Sequence, residues 1–301
     1  MIKINGTKID IKHFPDGTQC ITDFNENIFC TNPENTTPYY EIVWLYENDE
    51  EMFTLLCLVS HLRDNHIYSN NIVINLVLPY LPNARMDKTF SKREVFTLKY
   101  FANFINSFNF NKVGIFDSHS NVSLALLNRL NTMDNILYRC ITDCLLEIDN
   151  DYINDMFSQV AIYFSDESSY ERYKKFFRSG VKRYCVYGRK NRDSNTGKII
   201  GLEIYNEQGE KVSESDIKNK VFLMIDDIIS YGNTIALGAD RLKELGAKAI
   251  YVYASHTEDN ILDKENGVLI KRLENGTINK LFTTNSLFKQ EHEKIKLIYN
   301  F

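Results

Sequence analysis

The chain has 301 residues, 44% hydrophobic and 25% charged, with a formal net charge of −5, which suits one large globular domain or two of ordinary size. The acidic balance argues against a broad nucleic-acid-binding surface, whose affinity comes from clustered Lys and Arg. No apolar run approaches the length that spans a bilayer, and the opening MIKINGTKIDI lacks the charged start and apolar core of a secretory signal, so a cytoplasmic setting without membrane contact is expected.

In chain order, Ile72–Leu78 is a strand candidate, and Val95, Leu98, Ala102, Ile105 and Phe108 mark a helix by their spacing. Val113–Phe116 is a second short strand, ending in the turn Asp117–Ser118–His119. Cys140 and Cys144 are the one close pair among six cysteines, and no second Cys/His pair completes a zinc site, so free thiols are expected. The polar stretch around residue 145 predicts a boundary between domains 1–145 and 146–301. Beyond it, Val160–Phe164, Tyr184–Tyr187, Val221–Ile225 and Ile250–Ala254 read as strands alternating with helices, the pattern of a mainly parallel α/β sheet.

Residues 221–246, VFLMIDDIISYGNTIALGADRLKELG, carry the strongest functional signal. A strand over Val221–Ile225 leads to Asp226 and Asp227, then to a turn containing Ser230, Tyr231, Gly232, Asn233 and Thr234. Ile235, Ala239, Leu242 and Leu245 keep helical spacing, and Gly246 is a natural stop. Exposed amides at a helix start favour a phosphate, while neighbouring carboxylates suit sugar hydroxyls or a divalent cation. The segment therefore predicts a phosphorylated-sugar site. An Asp-Asp pair that merely caps the turn is the plainer reading of the same residues.

IDDIISYGNT resembles the ribose-phosphate loop of the type I phosphoribosyltransferase fold, and further segments resemble the phosphoribosyl pyrophosphate synthetase family in family order. Phe14–Pro15–Asp16–Gly17 resembles an element that reaches a neighbouring subunit's ATP site; Leu78–Lys88, with Arg85 and Asp87, resembles an ATP-binding loop. Asn48–Asp49 resembles a segment that opens a helix over Glu50–Leu62. Asp117-Ser-His119 and Phe164-Ser-Asp166, with Arg172 beyond it, resemble motifs whose His119 and Asp166 counterparts meet magnesium; His119 also belongs to the ATP site. Lys190–Asn191–Arg192 resembles the start of a flexible catalytic loop with Asp193–Gly197 as its body. Plain phosphoribosyltransferases lack this combination.

The resemblance implies two type I phosphoribosyltransferase-like domains, each a mainly parallel sheet flanked by helices. It implies a Mg²⁺-dependent pyrophosphokinase acting on ATP and a ribose 5-phosphate-containing acceptor, with Lys190 and Arg192 catalytic and Asp226 and Asp227 on the ribose hydroxyls. A homo-oligomer is expected. Departures cluster at the acceptor end and the subunit edges: Ser230–Tyr231 and Asn233 in the phosphate loop, Ser168–Ser169 for a Gly-Gly pair, and Thr18 for an early Glu. The divergence is similar to that of a subgroup linked to ADP-ribose pyrophosphate, NAD⁺ rebuilding and nicotinamide phosphoribosyltransferase-like partners. ADP-ribose is the favoured acceptor, with free ribose 5-phosphate close behind. A phosphoribosyltransferase and a non-catalytic regulatory homologue are the competing classes.

Overall fold

The computed structural model describes residues 1–22, 37–65, 72–151, 160–178, 183–192 and 199–301. Contacts divide the chain into two compact units, Met1–Asp134 with Phe301, and Asn135–Asn300. The sequence reading set the division near residue 145, inside what is one continuous helix over Asp134–Asp151.

The first unit contains strands β1 (Ile2–Ile4), β2 (Thr7–Lys8), β3 (Ile11–His13), β4 (Gln19–Ile21) and β5 (Tyr39–Trp44), then helix α1 (Glu50–Asp64). It continues with β6 (Val73–Leu78), α2 (Thr97–Ser107), β7 (Lys112–Ile115), α3 (Asn121–Leu126) and β8 (Leu130–Thr132). The sheet order is β2-β1-β5-β6-β7-β8, and β5 through β8 run parallel; β3 and β4 form a separate hairpin. Asp49 stands at the N-cap of α1, as the sequence placed it, and Leu55, Leu58, Val59 and Leu62 bury one stripe of that helix.

The second unit takes α4 (Asp134–Asp151) from its second residue on, followed by β9 (Ala161–Phe164), α5 (Glu167–Tyr173), α6 (Lys175–Arg178), β10 (Cys185–Arg192), β11 (Ile199–Asn206) and α7 (Glu214–Ile217). Then come β12 (Val221–Ile229), α8 (Asn233–Glu244), β13 (Ala249–Thr257), α9 (Val268–Glu274), β14 (Lys280–Thr284) and β15 (Ile295–Tyr299). The order is β11-β10-β9-β12-β13-β14-β15, parallel throughout except for the β10–β11 pair. Every residue of β13 is buried, as a parallel strand covered on both faces requires. Cys140 and Cys144 lie four apart on α4 as buried, free thiols.

Two predicted boundaries need correction. β12 does not end at Ile225 but continues through both aspartates to Ile229, because its pairing with β13 runs on to Ile229↔Thr257. Lys190 and Arg192 do not open a loop. They lie on β10, whose antiparallel pairing with β11 extends to Arg192↔Ile199. Asp193–Gly197, read as the loop body, and Cys30 fall outside the described residues.

Helix α8 sits close on the sheet through Gly238. A Cβ there would stand 2.7 Å from the Tyr163 hydroxyl and 2.8 Å from Met224 Cε, and Tyr163 is wholly buried. Gly238→Ala is expected to overpack this contact at a cost of about 1–3 kcal/mol. Thermal denaturation should show a Tm lowered by at least ~2 °C; an unchanged Tm would mean that α8 does not press on β9.

Candidate active site

Ligands of open parallel sheets bind beyond the carboxyl ends of the strands, and in the second unit those ends carry most of the predicted residues. Asp227, 4% exposed, accepts an ion-pair bond from Arg172 Nη2 of α5 at 3.0 Å. The guanidinium also lies 4.6 Å from the centre of the Tyr173 ring. Asp226 has no cation of its own at this range among the described residues. Its Oδ1 accepts from Ser165 Oγ at 3.2 Å and from the Asp227 amide at 3.1 Å. Burial, and next the charge of Asp227, push the Asp226 carboxyl well above the usual carboxylate range, with Arg172 opposing.

Asp166 caps α5, accepting from the Ser169 amide at 2.8 Å through Oδ1. Ser169 Oγ in turn meets Ser165 Oγ at 3.1 Å. Ser169, noted in the sequence only as a departure, therefore supports the hydroxyl that holds Asp226. Ser165 was missed as a site residue; its position immediately before Asp166 at the end of a buried strand was the available signal.

The phosphate-loop candidates follow β12. Gly232 adopts φ 82° and ψ 20°, the left-handed region, and a Cβ there would meet Leu269 Cβ at 2.3 Å. Glycine is thus required twice, by conformation and by space. The Tyr231 carbonyl accepts the Val268 and Leu269 amides at 2.9 and 3.1 Å, and Ser230 Oγ accepts Asn260 Nδ2 at 2.8 Å. Asn233 begins α8, whose first amides have no carbonyl within the helix to bond. Thr234 Oγ1 accepts Lys190 Nζ at 2.9 Å, which brings the first predicted catalytic residue onto the predicted phosphate loop. Arg192 ends β10.

The first unit holds the predicted ATP residues. Exposed Arg85 and half-buried Asp87 lie in the loop after β6, and exposed His119 lies after β7, so the carboxyl ends of two adjacent parallel strands carry them. Asp117, at φ 40°, turns the chain before His119. Phe14 is 55% exposed at the tip of the β3–β4 hairpin. Asp16 is engaged locally: its Oδ1 accepts from Thr18 Oγ1 at 2.7 Å and the Thr18 amide at 2.9 Å, and these bonds hold its carboxyl below the usual range. His119 belongs to the first unit and Asp166 to the second, and among the described residues no three His, Cys, Asp or Glu side chains cluster as a metal site.

The acidic pair gives two stability predictions of opposite sign. The folded carboxyl of Asp226 binds its proton more tightly than the unfolded one, so its contribution is full in acid and is lost as pH rises through the folded value. Asp226→Asn should raise Tm near neutral pH, by about 2–4 °C per kcal/mol recovered, and the gain should vanish towards the ordinary carboxylate range. Arg172→Met leaves Asp227 buried without its guanidinium and should cost roughly 3 kcal/mol. Thermal melts of both variants across pH check the pair; a lower Tm for Asp226→Asn at neutral pH would contradict the assignment.

No family model matches the chain. Curated relatives named ribose-phosphate pyrophosphokinase do. The Bacillus subtilis protein is 25% identical over 248 residues, covering 82% of this chain and 69% of its own. The Methanobrevibacter smithii protein is 26% identical over 283 residues, covering 93% and 85%. The crystal structure of phosphoribosylpyrophosphate synthetase from Mycobacterium smegmatis superposes with a TM-score of 0.63 at 16% identity, covering 96% of this chain and 85% of that one. The shared fold is the two-domain, phosphoribosyltransferase-like architecture expected from the sequence. The chain is thus a distant relative of proteins named ribose-phosphate pyrophosphokinase and shares the fold of a phosphoribosylpyrophosphate synthetase.

Proposed function

We propose that the chain transfers the β,γ-diphosphoryl group of ATP to the C1 hydroxyl of a 5-phosphorylated ribose. The acceptor oxygen bonds to Pβ, the Pα–O–Pβ bridge breaks, AMP leaves and the C1 hydroxyl gives up its proton. The observation that carries this reading is the 2.9 Å bond from Lys190 Nζ to Thr234 Oγ1, which sets a cation beside the phosphate cradle. Positioning and charge neutralisation are what phosphoryl transfer asks of a protein. Lys190 and Arg192 neutralise the transferring group, Ser230–Thr234 seat the 5-phosphate, and Asp226 and Asp227 accept from the ribose hydroxyls. Phe14, Asp16, Arg85, Asp87 and His119 form the ATP side.

The donors suit Mg²⁺, which takes oxygen ligands, keeps several waters and needs few protein groups. The helix-cap bond engages Oδ1 of Asp166 and leaves its other oxygen to hold such an ion beside the nucleotide phosphates, and His119 would serve a Mg²⁺ ion on the ATP side, in the first unit. The exposed Phe14 at its hairpin tip is consistent with a homo-oligomer that shares ATP sites.

The acceptor we favour is ADP-ribose, which places the enzyme in NAD⁺ rebuilding beside a nicotinamide phosphoribosyltransferase-like partner, in the cytoplasm. A groove of about 510 Å³ beside the phosphate loop, lined by Tyr231, Asn233, Glu265, Asn266 and Val268, supports it by leaving room beyond the 5-phosphate. Free ribose 5-phosphate is the second reading, favoured by the names of the relatives.

With ATP and Mg²⁺, AMP release is expected with ADP-ribose in preference to ribose 5-phosphate. Lys190→Ala should lower kcat by at least about a hundredfold, as loss of one charge-stabilising donor does, with the fold intact by circular dichroism. AMP release with neither acceptor would overturn the proposal. Base-dependent consumption of phosphoribosyl pyrophosphate without ATP would replace it with a phosphoribosyltransferase.

A further inference from the structure

The groove beside the phosphate loop is walled by a turn held largely through main-chain amides and carbonyls. Its wall is the turn Asp263–Val268, where Asp263 Oδ1 accepts the amides of Glu265 and Asn266 at 2.8 Å each. The Gly267 amide donates to the Asp263 carbonyl and Lys271 Nζ to the Glu265 carbonyl, both at 2.8 Å. A Cβ on Gly267 would stand 2.4 Å from the Asp263 carbonyl oxygen, so the turn closes only around glycine. The amides that follow, of Val268 and Leu269, hold the Tyr231 carbonyl and join this wall to the phosphate loop. Tyr231, Asn233 and Glu265 therefore face one groove, and Asn266, whose side chain also bonds the Asp263 carboxylate, lines it beside them.

The chemistry of these groups is selective. The side chains that line it are a phenol, two carboxamides, a carboxylate and a valine, which suit hydroxyls and an aromatic face better than a further terminal phosphate. A carboxylate accepts both hydroxyls of a vicinal diol, a phenol ring offers a stacking face, and a carboxamide both donates and accepts at a base edge. We infer that the groove is a nucleoside subsite: it takes the distal nucleoside of an acceptor whose ribose 5-phosphate continues through a second phosphate, with Glu265 on the distal diol and Tyr231 on the base face. This rests on the proposed function and names the residues that choose its acceptor.

The test compares ADP-ribose with ribose 5-phosphate in the full-length wild type, Glu265→Gln and Glu265→Ala, reading both kcat/KM and calorimetric Kd. The ratio of kcat/KM for ADP-ribose over ribose 5-phosphate should fall at least about tenfold in Glu265→Ala, the loss expected of a hydrogen bond to a charged group. The Kd for ADP-ribose should weaken alike. A ratio and Kd unchanged in both variants would overturn the inference, as would a wild type that turns over ribose 5-phosphate but neither binds nor uses ADP-ribose. If the wild type releases AMP with neither acceptor, the pyrophosphokinase reading fails, and the effect of Glu265→Ala on ADP-ribose binding still decides the subsite.

Discussion

A parallel sheet that delivers two adjacent carboxylates to the end of its central strand must neutralise or protonate them. β12 is that strand, and one guanidinium, Arg172, meets the more buried of the pair at 3.0 Å. The geometry around it follows. Arg172 is carried by α5, which starts where Asp166 caps it, and the same turn places Ser165 and Ser169 so that a hydroxyl reaches Asp226. The second carboxyl keeps its proton more tightly because burial and its neighbour both oppose its charge. The site thus holds two carboxyls close together, one of them disfavoured in its charged form, at the place proposed for a ribose diol.

The phosphate loop is supported from the other side. Gly232 lets the backbone turn left-handed against Leu269, and the start of α9 grips the Tyr231 carbonyl. Loop and groove wall are one piece of structure, which is why a change of acceptor would be written in residues 263–268 as well as in the loop. Ser230, Tyr231 and Asn233 lie at this junction, and Lys190 meets the same loop through Thr234.

Much of this was legible in the sequence. The strand–turn–helix over 221–246 announced itself by apolar run, small-residue turn and helical spacing, and Gly246 takes its left-handed place at φ 82° after α8. The strand ends were not legible. Asp226 and Asp227 look like the start of a loop because polar residues usually end strands, yet the backbone bonds of β12 to β13 ignore side-chain polarity. Lys190 looked like a loop residue because its partner strand, β11, lies beyond the following segment, and such non-local pairing leaves no local trace. The bonds from Thr18 to Asp16 were not legible either, because they depend on the geometry of the hairpin turn. The groove was invisible because residues 231 and 265 are far apart in sequence and meet only through the seating of α9.

The central claim is that the group transferred is a diphosphate. The most direct measurement is the fate of the β-phosphorus of ATP, followed with label at that position and products resolved by mass. The account predicts that the label moves with the γ-phosphorus onto C1 of the acceptor and leaves unlabelled AMP. Label retained in ADP beside a monophosphorylated acceptor would contradict it and make the enzyme an ordinary kinase.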